Sequence, residues 1–283
     1  SDVCSSDLGA NHGDEYEGPV ALFDLANHIN AEEISGRVII IPGMNYPAFK
    51  AGKRTSPIDG GNMNRVFPGN PEGTFTEKIA DYFNRTLLPM ADYVVDFHSG
   101  GKTLDFLPFC CAHVLDDKTQ QEKCVAAMKA FNAPHSVMLL EIDAVNMYDT
   151  AAENMGKIFI STELGGGGST TAYTVEIAKK GIRNILRHAG ITKGDLEVDE
   201  TLNLDMPDDN CYIFSESTGL VEHCVDLGDE VKAGQLVAKV HNIERTGTPP
   251  EEYHAKIDGI FTGKHFPGLV VNGDFLGVIA VPV

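Results

Sequence analysis

Amphipathic stretches alternate with short apolar runs between residues 19 and about 190. A helix-like spacing from Pro19 to Gly36 leads into the apolar run RVIIIPG at residues 37–43, and the pattern then recurs. Buried strands read as continuous apolar runs, and the helices that cover a sheet separate them along the chain. The alternation therefore predicts an α/β domain with a largely buried sheet.

Other elements of this domain follow from the same periodicity. The run DYVVDFHSG ends abruptly at His98, Ser99 and Gly100, as an apolar strand does at a turn. Further strands are predicted in LDFLPFCC, SVMLLE and KIFISTELGG, and helices near 76–88, 117–132 and 170–189.

The pattern of apolar and polar residues changes after Gly190. An acidic, poorly patterned stretch is followed by short strands separated by turn signals, which is typical of an all-β unit. We place a boundary near residue 195, which gives a front domain at 1–195 and a smaller β-domain at 196–283. Part of the latter, VDLGDEVKAGQLVAKV, resembles a biotinyl or lipoyl carrier, but the Met-Lys-Met triplet that carries the cofactor is missing.

The first residues, SDVCSSDL, do not fit the pattern. They have neither the positive start nor the apolar segment of a signal peptide, and they are not a convincing strand. Because an apolar strand is expected before a site-forming loop, we interpret residues 1–8 as foreign or as a truncated start.

Composition excludes several classes of function. The 283 residues include 22 Lys and Arg against 41 Asp and Glu, a formal charge of -19 that repels nucleic acid and anionic membranes. No apolar run approaches the ~18 residues of a membrane span. The six cysteines form no Cys-x-x-Cys pair, so they are expected to be reduced thiols of a cytoplasmic protein. A small-molecule substrate is the partner that fits.

Three residues predict a metal site. In GANHGDEYEG, at residues 9–18, His12 and Glu15 lie three apart, so one helical turn can direct both to a single point. Alone, this spacing arises often by chance. His98 adds a third ligand at the end of an apolar strand, where open α/β sheets bind their ligands. Two imidazoles and one carboxylate leave a fourth tetrahedral position open, as in hydrolytic zinc sites.

Carboxylates near the predicted metal suggest supporting roles. Asp96 shares a face of its strand with His98 and can orient it, although a core or salt-bridge role is equally open. Glu163 ends another apolar run and can serve as a general base, but Glu141 is equally well placed by periodicity. The glycines after Glu163 lack the lysine of a phosphate-binding loop, which argues against nucleotide binding.

The irregular stretch at residues 44–73 is a second candidate region, because so long a loop inside a compact domain is usually functional. Together with it, four motifs carry a specific resemblance: GANHGDEYEG, MNRVFPG, DFHSGG and TELGGGG. They resemble the succinylglutamate desuccinylase/aspartoacylase family of zinc amidohydrolases, whose fold is a zinc carboxypeptidase-like mixed sheet flanked by helices. Within this family, RTSPIDGGNMNRVFPG is most similar to the branch that contains a deacetylase of ectoine breakdown.

The resemblance implies a role for each matching residue. His12, Glu15 and His98 would bind one Zn²⁺ per chain, and Glu163 would be the general base. Arg54 would polarise the scissile carbonyl or stabilise the oxyanion, although the long spacing to Asn64 leaves room for Lys53 or for a different loop path. Asn64 and Arg65 would hold the substrate carboxylate; guanidinium groups bind carboxylates with two parallel hydrogen bonds.

The predicted function is zinc-dependent hydrolysis of the N-acyl amide bond of a small N-acyl amino acid, with deacetylation in ectoine breakdown as the leading case. The alternatives are a succinylglutamate desuccinylase, an aspartoacylase-like deacylase, a carboxypeptidase-like peptidase and a non-enzymatic carrier or binding module. The family often forms homo-oligomers, so self-association is also open.

Overall fold

A computed structural model describes residues 3–139 and 145–283 of the chain. Glu141, the rival to Glu163 as the predicted base, lies outside the described residues. No helix in the described ranges is both long and apolar enough to cross a membrane.

Sixteen strands are found in the described part of the chain. In chain order they are β1 Cys4–Gly9, β2 Arg37–Ile41, β3 Tyr93–His98, β4 Leu104–Phe106, β5 Phe109–His113, β6 His135–Leu139, β7 Ile158–Glu163, β8 Leu202–Met206, β9 Tyr212–Phe214, β10 Gly219–His223, β11 Glu230–Val231, β12 Leu236–His241, β13 Glu251–His254, β14 Gly259–His265, β15 Leu269–Val270 and β16 Phe275–Pro282.

The helices precede or connect strands of the front half. They are α1 Glu17–His28, α2 Tyr46–Ala51, α3 Phe75–Tyr82, α4 Leu88–Met90, α5 Lys118–Phe131, α6 Tyr148–Asn154 and α7 Ala172–His188. Short 3₁₀ turns lie at Met63–Arg65 and Asp209–Cys211, and a π turn at Phe83–Leu87 joins α3 to α4.

The main sheet is mixed and runs in the order β11-β14-β16-β8-β6-β5-β7-β3-β1-β2. Its strands β2, β1, β3 and β7 are parallel neighbours, whereas β5 pairs with β7 in the antiparallel sense. The predicted α/β class is therefore confirmed. Because parallel strands end at the same edge, the residues that follow β1, β3 and β7 meet there.

The N-terminal segment corrects one expectation. Cys4–Gly9, which the sequence did not suggest as a strand, lies between β2 and β3 in the sheet and is buried throughout. One hydrogen bond joins two of its polar side chains, because the Ser5 hydroxyl donates to Asp7 Oδ1 at 2.7 Å. Burial raises the pKa of Asp7 to about 7. The Ser6 hydroxyl and Asp7 Oδ2 are buried without a hydrogen-bond partner among the described residues, so the pairing of Ser5 with Asp7 satisfies this polar strand only in part.

Helix α1 also differs from its prediction, because it ends at His28 and not near Gly36. Ile29 is extended, and the Asn30 side-chain oxygen then accepts from the Glu32 N–H at 3.1 Å. Asparagine that bonds nearby backbone in this way competes with the helix. The helices predicted near 117–132 and 170–189 are confirmed as α5 and α7.

The C-terminal half is all β, as predicted, and it is joined closely to the front half. A four-stranded antiparallel sheet, β13-β12-β10-β15, packs its apolar residues with those of β14 and β16. Strand β4 pairs with β14, and β8 pairs with β6. One core cluster contains Phe109 and Cys111 from β5 together with Val278 from β16. The division at residue 195 stays a prediction.

Asp59 fixes the long loop at residues 44–73 to helix α3. Its carboxylate accepts from the N–H and the hydroxyl of Thr76, at 2.7 and 2.8 Å, and from the Gly61 N–H at 3.0 Å. Although burial alone raises a carboxyl pKa, these hydrogen bonds lower the pKa of Asp59 to about 2. The charged form therefore holds the loop.

We expect Asp59→Asn to unfold about 2–4 °C below the parent at pH 7, because losing a carboxylate at a helix start costs roughly 1 kcal/mol. A carboxyl group whose pKa is lower in the folded state than in the unfolded state stabilises the fold most above the unfolded pKa, near 4. This stabilisation is lost as the pH falls to about 2, the pKa in the folded state. The difference in melting temperature should shrink over that window. Thermal unfolding against pH measures it, with exposed Asp195→Asn as control; a pH-independent difference would contradict the assignment.

Candidate metal centre and active-site cavity

The His12–Glu15 segment is a compact loop that leaves β1 at the edge of the sheet. It is anchored on one side by the Met44 N–H, which donates to the Gly9 carbonyl at 2.9 Å. On the other side Gly13 packs on α2 so closely that a Cβ there would lie 2.0 Å from the Ala48 carbonyl carbon. Glycine is therefore required at this position, and the loop is held against the sheet.

His12, Glu15 and His98 come together at this edge, as predicted. One ligand atom of each lies within 4.8 Å of the others. Glu15 lies between the two imidazoles, with Oε1 at 2.8 Å from His12 Nδ1 and Oε2 at 2.8 Å from His98 Nδ1. All three side chains are almost fully buried. Two imidazole nitrogens and a carboxylate that converge in this way are a donor set that fits Zn²⁺.

The far nitrogens of both histidines have partners of their own. His98 Nε2 lies 3.0 Å from Asp96 Oδ2, which also accepts from the Asn11 side-chain amide at 2.9 Å. His12 Nε2 lies 3.2 Å from Asn62 Oδ1. With Nε2 donating to these oxygens, the Nδ1 atom of each imidazole, which faces Glu15, would be the nitrogen that binds a cation. Of the two roles open to Asp96, the contact supports orientation of His98.

The electrostatics of the cluster follow from burial and close charges. Burial lowers the pKa of His12. Burial acts in the same sense on His98, but Asp96 and Glu15 outweigh it and raise the pKa of His98 well above its ordinary value. For Glu15, burial favours the neutral acid, yet the two imidazoles hold its pKa well below the usual range. The carboxylate therefore stays charged, as a cation ligand must.

Glu163 ends β7 directly opposite His98 at the end of β3. Neighbouring strands lie about 4.8 Å apart and paired residues point to the same face, so its carboxyl lies beside the metal cluster. Burial, followed by the nearby Glu15 charge, raises the pKa of Glu163 to about 8. Its Oε2 is buried and accepts no hydrogen bond within the described ranges. A cation at the cluster would favour the ionised form again.

The predicted substrate residues lie around a cavity of about 280 Å³ that opens beside the cluster. Arg54 Nη1 approaches Glu15 Oε1 at 3.4 Å, and the cavity lining includes Arg54 but not Lys53. Asn64 and Arg65 also line it, in the 3₁₀ turn Met63–Arg65. The Asn64 carbonyl accepts from Arg65 Nη1 at 2.6 Å. The cavity lining thus includes every predicted site residue except Glu15, which lies between the two histidines: His12, Arg54, Asn64, Arg65, His98 and Glu163.

Sequence reasoning missed several residues of this site. Asn62, which contacts His12, begins the 3₁₀ turn, and its side chain also accepts from the Asn64 N–H at 3.0 Å. Asparagine before a tight turn is a recognisable cap, so this signal was present in GGNMNR. The cavity wall also includes Asp149 and His113, which no motif marked. A larger groove of about 560 Å³ lies between α1 and α7 and contains none of the predicted site residues.

Comparison with known proteins agrees with the site. The model of the succinylglutamate desuccinylase/aspartoacylase catalytic domain matches residues 8–189. The chain is 53% identical over 274 residues to N-alpha-acetyl-L-2,4-diaminobutyric acid deacetylase of Halomonas elongata, which covers 96% of this chain and 80% of the relative.

Solved structures give the same relationship. The product-bound ectoine utilization protein EutE (DoeB) of Ruegeria pomeroyi is 62% identical, with a TM-score of 0.98 over 99% of this chain and 86% of that one. A succinylglutamate desuccinylase of a Silicibacter species is 59% identical, with a TM-score of 0.97 over 100% of this chain and 86% of that one. The sequence match, the shared fold and the His-Glu-His cluster agree, and the chain belongs to the succinylglutamate desuccinylase/aspartoacylase family.

Proposed function

We propose that this protein is a metal-dependent amidohydrolase that removes the acetyl group from N-alpha-acetyl-L-2,4-diaminobutyrate during ectoine breakdown. The observation that carries the proposal is the convergence of His12, Glu15 and His98 beside a cavity lined by arginines. The name of the Halomonas relative supplies the substrate, and the name of the Ruegeria structure supplies ectoine utilization.

We further propose that the metal is zinc, one ion per chain, held by His12, Glu15 and His98. Neutral imidazole and one carboxylate suit zinc better than magnesium, which prefers oxygen ligands and a nearly octahedral shell. Bound zinc supplies the Lewis acidity that hydrolysis of an unactivated amide requires. Asp96 and Asn62 keep both imidazoles oriented for this task.

Glu163 is proposed as the general base and acid. Its carboxyl lies opposite His98 in the parallel pair of β3 and β7, with one buried oxygen free to take a proton. In hydrolysis it accepts a proton from the attacking water and returns it to the departing amine nitrogen. We propose that the Arg54 guanidinium, which lies 3.4 Å from Glu15, stabilises negative charge on the acyl oxygen.

Asn64 and Arg65 are proposed to bind the substrate carboxylate. The side-chain oxygen of Asn64 accepts from the Tyr148 N–H at 2.9 Å, which fixes its amide plane at the cavity wall. The planar guanidinium of Arg65 then presents two parallel donors to a carboxylate.

Arg65→Lys is therefore expected to raise KM by roughly 10- to 100-fold with little change in melting temperature, because an ammonium cannot make the two-pronged contact. Steady-state kinetics and thermal unfolding check both parts, with exposed Arg245→Lys as the matched control. Unchanged KM and kcat would remove Arg65 from the substrate site.

A second candidate function is desuccinylation, favoured by the name of the Silicibacter structure. The deciding experiment is a hydrolysis panel with the zinc-loaded enzyme and with the same enzyme after chelation. The panel contains N-alpha-acetyl-L-2,4-diaminobutyrate, N-succinylglutamate, N-acetylaspartate and short peptides. We expect the first substrate to have the highest kcat/KM and activity to require zinc; preference for any of the others would overturn the proposed substrate.

We also propose that the protein works in the cytoplasm. All six of its cysteines are free thiols, and five of them are buried. Oxidising compartments favour disulfides, so a chain with six unpaired thiols fits a reducing one. Self-association is a further proposal, which light scattering of the purified protein tests.

A further inference from the structure

The inner wall of the active-site cavity carries a buried carboxylate with no cationic partner among the described residues. Asp149 lines the cavity and is 7% exposed. Its Oδ1 accepts from the N–H and the hydroxyl of Thr150, at 2.5 and 3.2 Å, whereas its Oδ2 accepts no hydrogen bond within the described ranges. Burying a carboxylate without a counter-charge is unfavourable, so an unpaired one at a cavity wall indicates a cationic ligand.

Asp149 shares helix α6 with a second carboxylate. Glu153, one turn along α6, already has a partner, because its Oε1 lies 2.8 Å from His113 Nδ1. Burial raises the pKa of the Cys111 thiol, also on the cavity wall, to about 12; the hydrogen bond with Ser161 opposes this rise, and the charges of nearby carboxylates, Asp149 among them, add to it. An ammonium group would be attracted to this wall.

A role in helix stability alone does not account for the residue. Asp149 lies in the first turn of α6, where any carboxylate interacts favourably with the helix dipole. That interaction is equally available to an exposed side chain, and it requires neither burial nor a position on the cavity wall.

The substrate proposed above has a charge that fits. N-alpha-acetyl-L-2,4-diaminobutyrate has lost the charge of its alpha nitrogen to the acetyl group, but its side chain still ends in a free amine after two methylenes. That amine is an ammonium at neutral pH, as alkylamines are. We propose that Asp149 binds this ammonium and makes the enzyme selective for N-acyl amino acids with a short cationic side chain.

The arrangement of the wall is consistent with this assignment, which rests on the proposed function. The hydrogen bond between Asn64 Oδ1 and the Tyr148 N–H, at 2.9 Å, joins the carboxylate-binding turn to the start of α6. In this assignment the substrate carboxylate binds Arg65 and the substrate ammonium binds Asp149, both of which line the same cavity. Phe109 and Phe159 supply apolar surface for the methylenes between them.

The test compares two substrates that differ in one group. N-acetyl-L-norvaline has the same number of side-chain heavy atoms as N-alpha-acetyl-L-2,4-diaminobutyrate, with a methyl in place of the ammonium. Zinc-loaded parent, Asp149→Asn, Asp149→Ser, Asp149→Glu and the exposed control Asp195→Asn are assayed on both. Affinities for the product L-2,4-diaminobutyrate and for L-norvaline are measured by calorimetry in parallel.

We expect Asp149→Asn and Asp149→Ser to lose about 10- to 100-fold in kcat/KM on the cationic substrate and to change only a few-fold on the neutral one. Asp149→Glu should recover part of the preference, and Asp195→Asn should match the parent. Equal losses on both substrates would indicate a structural role and overturn the inference, as would an unchanged preference. Inactivity of the parent on both substrates would overturn the proposed function itself, and the inference with it.

Discussion

Glu163→Gln is expected to fold normally, retain its full equivalent of metal and lose about 10²–10⁴ in kcat, or roughly 3 to 5 kcal/mol of transition-state stabilisation. Glutamine keeps the shape of the side chain but cannot accept a proton. Because Glu163 is not part of the His-Glu-His cluster, its replacement leaves the ligand set complete. The loss should therefore appear in kcat and not in metal content.

The measurement combines steady-state kinetics with metal analysis and thermal unfolding. The matched control is Glu176→Gln on α7. The Glu176 carboxylate contacts Arg183 at 3.4 Å and is not part of the metal cluster. Glu141→Gln tests the rival base that the sequence left open, and it should behave like the parent. An inactive Glu141→Gln beside an active Glu163→Gln, with zinc bound to both, would transfer the role to Glu141.

The metal cluster was predictable because one ligand, His98, has a clear local signal and the family resemblance connects it with His12 and Glu15. His98 is the last residue of a largely apolar strand, so its place at the carboxyl end of that strand is readable from the sequence. The His12–Glu15 spacing gains meaning only once β1 is placed beside β3, and that pairing is a long-range contact. The sequence did not indicate this pairing, because residues 1–8 did not read as a strand; the family resemblance supplied only the set of three ligands.

The parts that sequence reasoning missed depend on tertiary contacts. Strand β1 begins with Cys4 and two serines and is buried by its neighbours, which hydropathy does not indicate. Asp149 becomes notable only because α6 packs against the turn that carries Asn64. A single acidic residue in a short helix is ordinary in sequence, and its burial against a cavity is a property of the fold.

The double variant His12→Ala, His98→Ala is expected to lose its metal and all measurable hydrolysis. Two of the three ligands disappear, and the remaining Glu15 carboxylate is a poor zinc site alone. Metal analysis after dialysis should give close to one equivalent for the parent and close to none for the variant. A full equivalent retained by the variant would place the metal elsewhere.

The variant Asp96→Asn tests whether the orientation of His98 matters for metal binding when no metal ligand is removed. Asp96 Oδ2 holds both His98 Nε2 and the Asn11 amide, so the variant keeps all three ligands but loses the charged acceptor behind one of them. Such a change typically costs about 10- to 100-fold in metal affinity or activity. We therefore expect a zinc affinity between those of the parent and the double variant, measured by competition with a chelator. A parental affinity would reduce Asp96 to a core residue, which is the other role that the sequence left open.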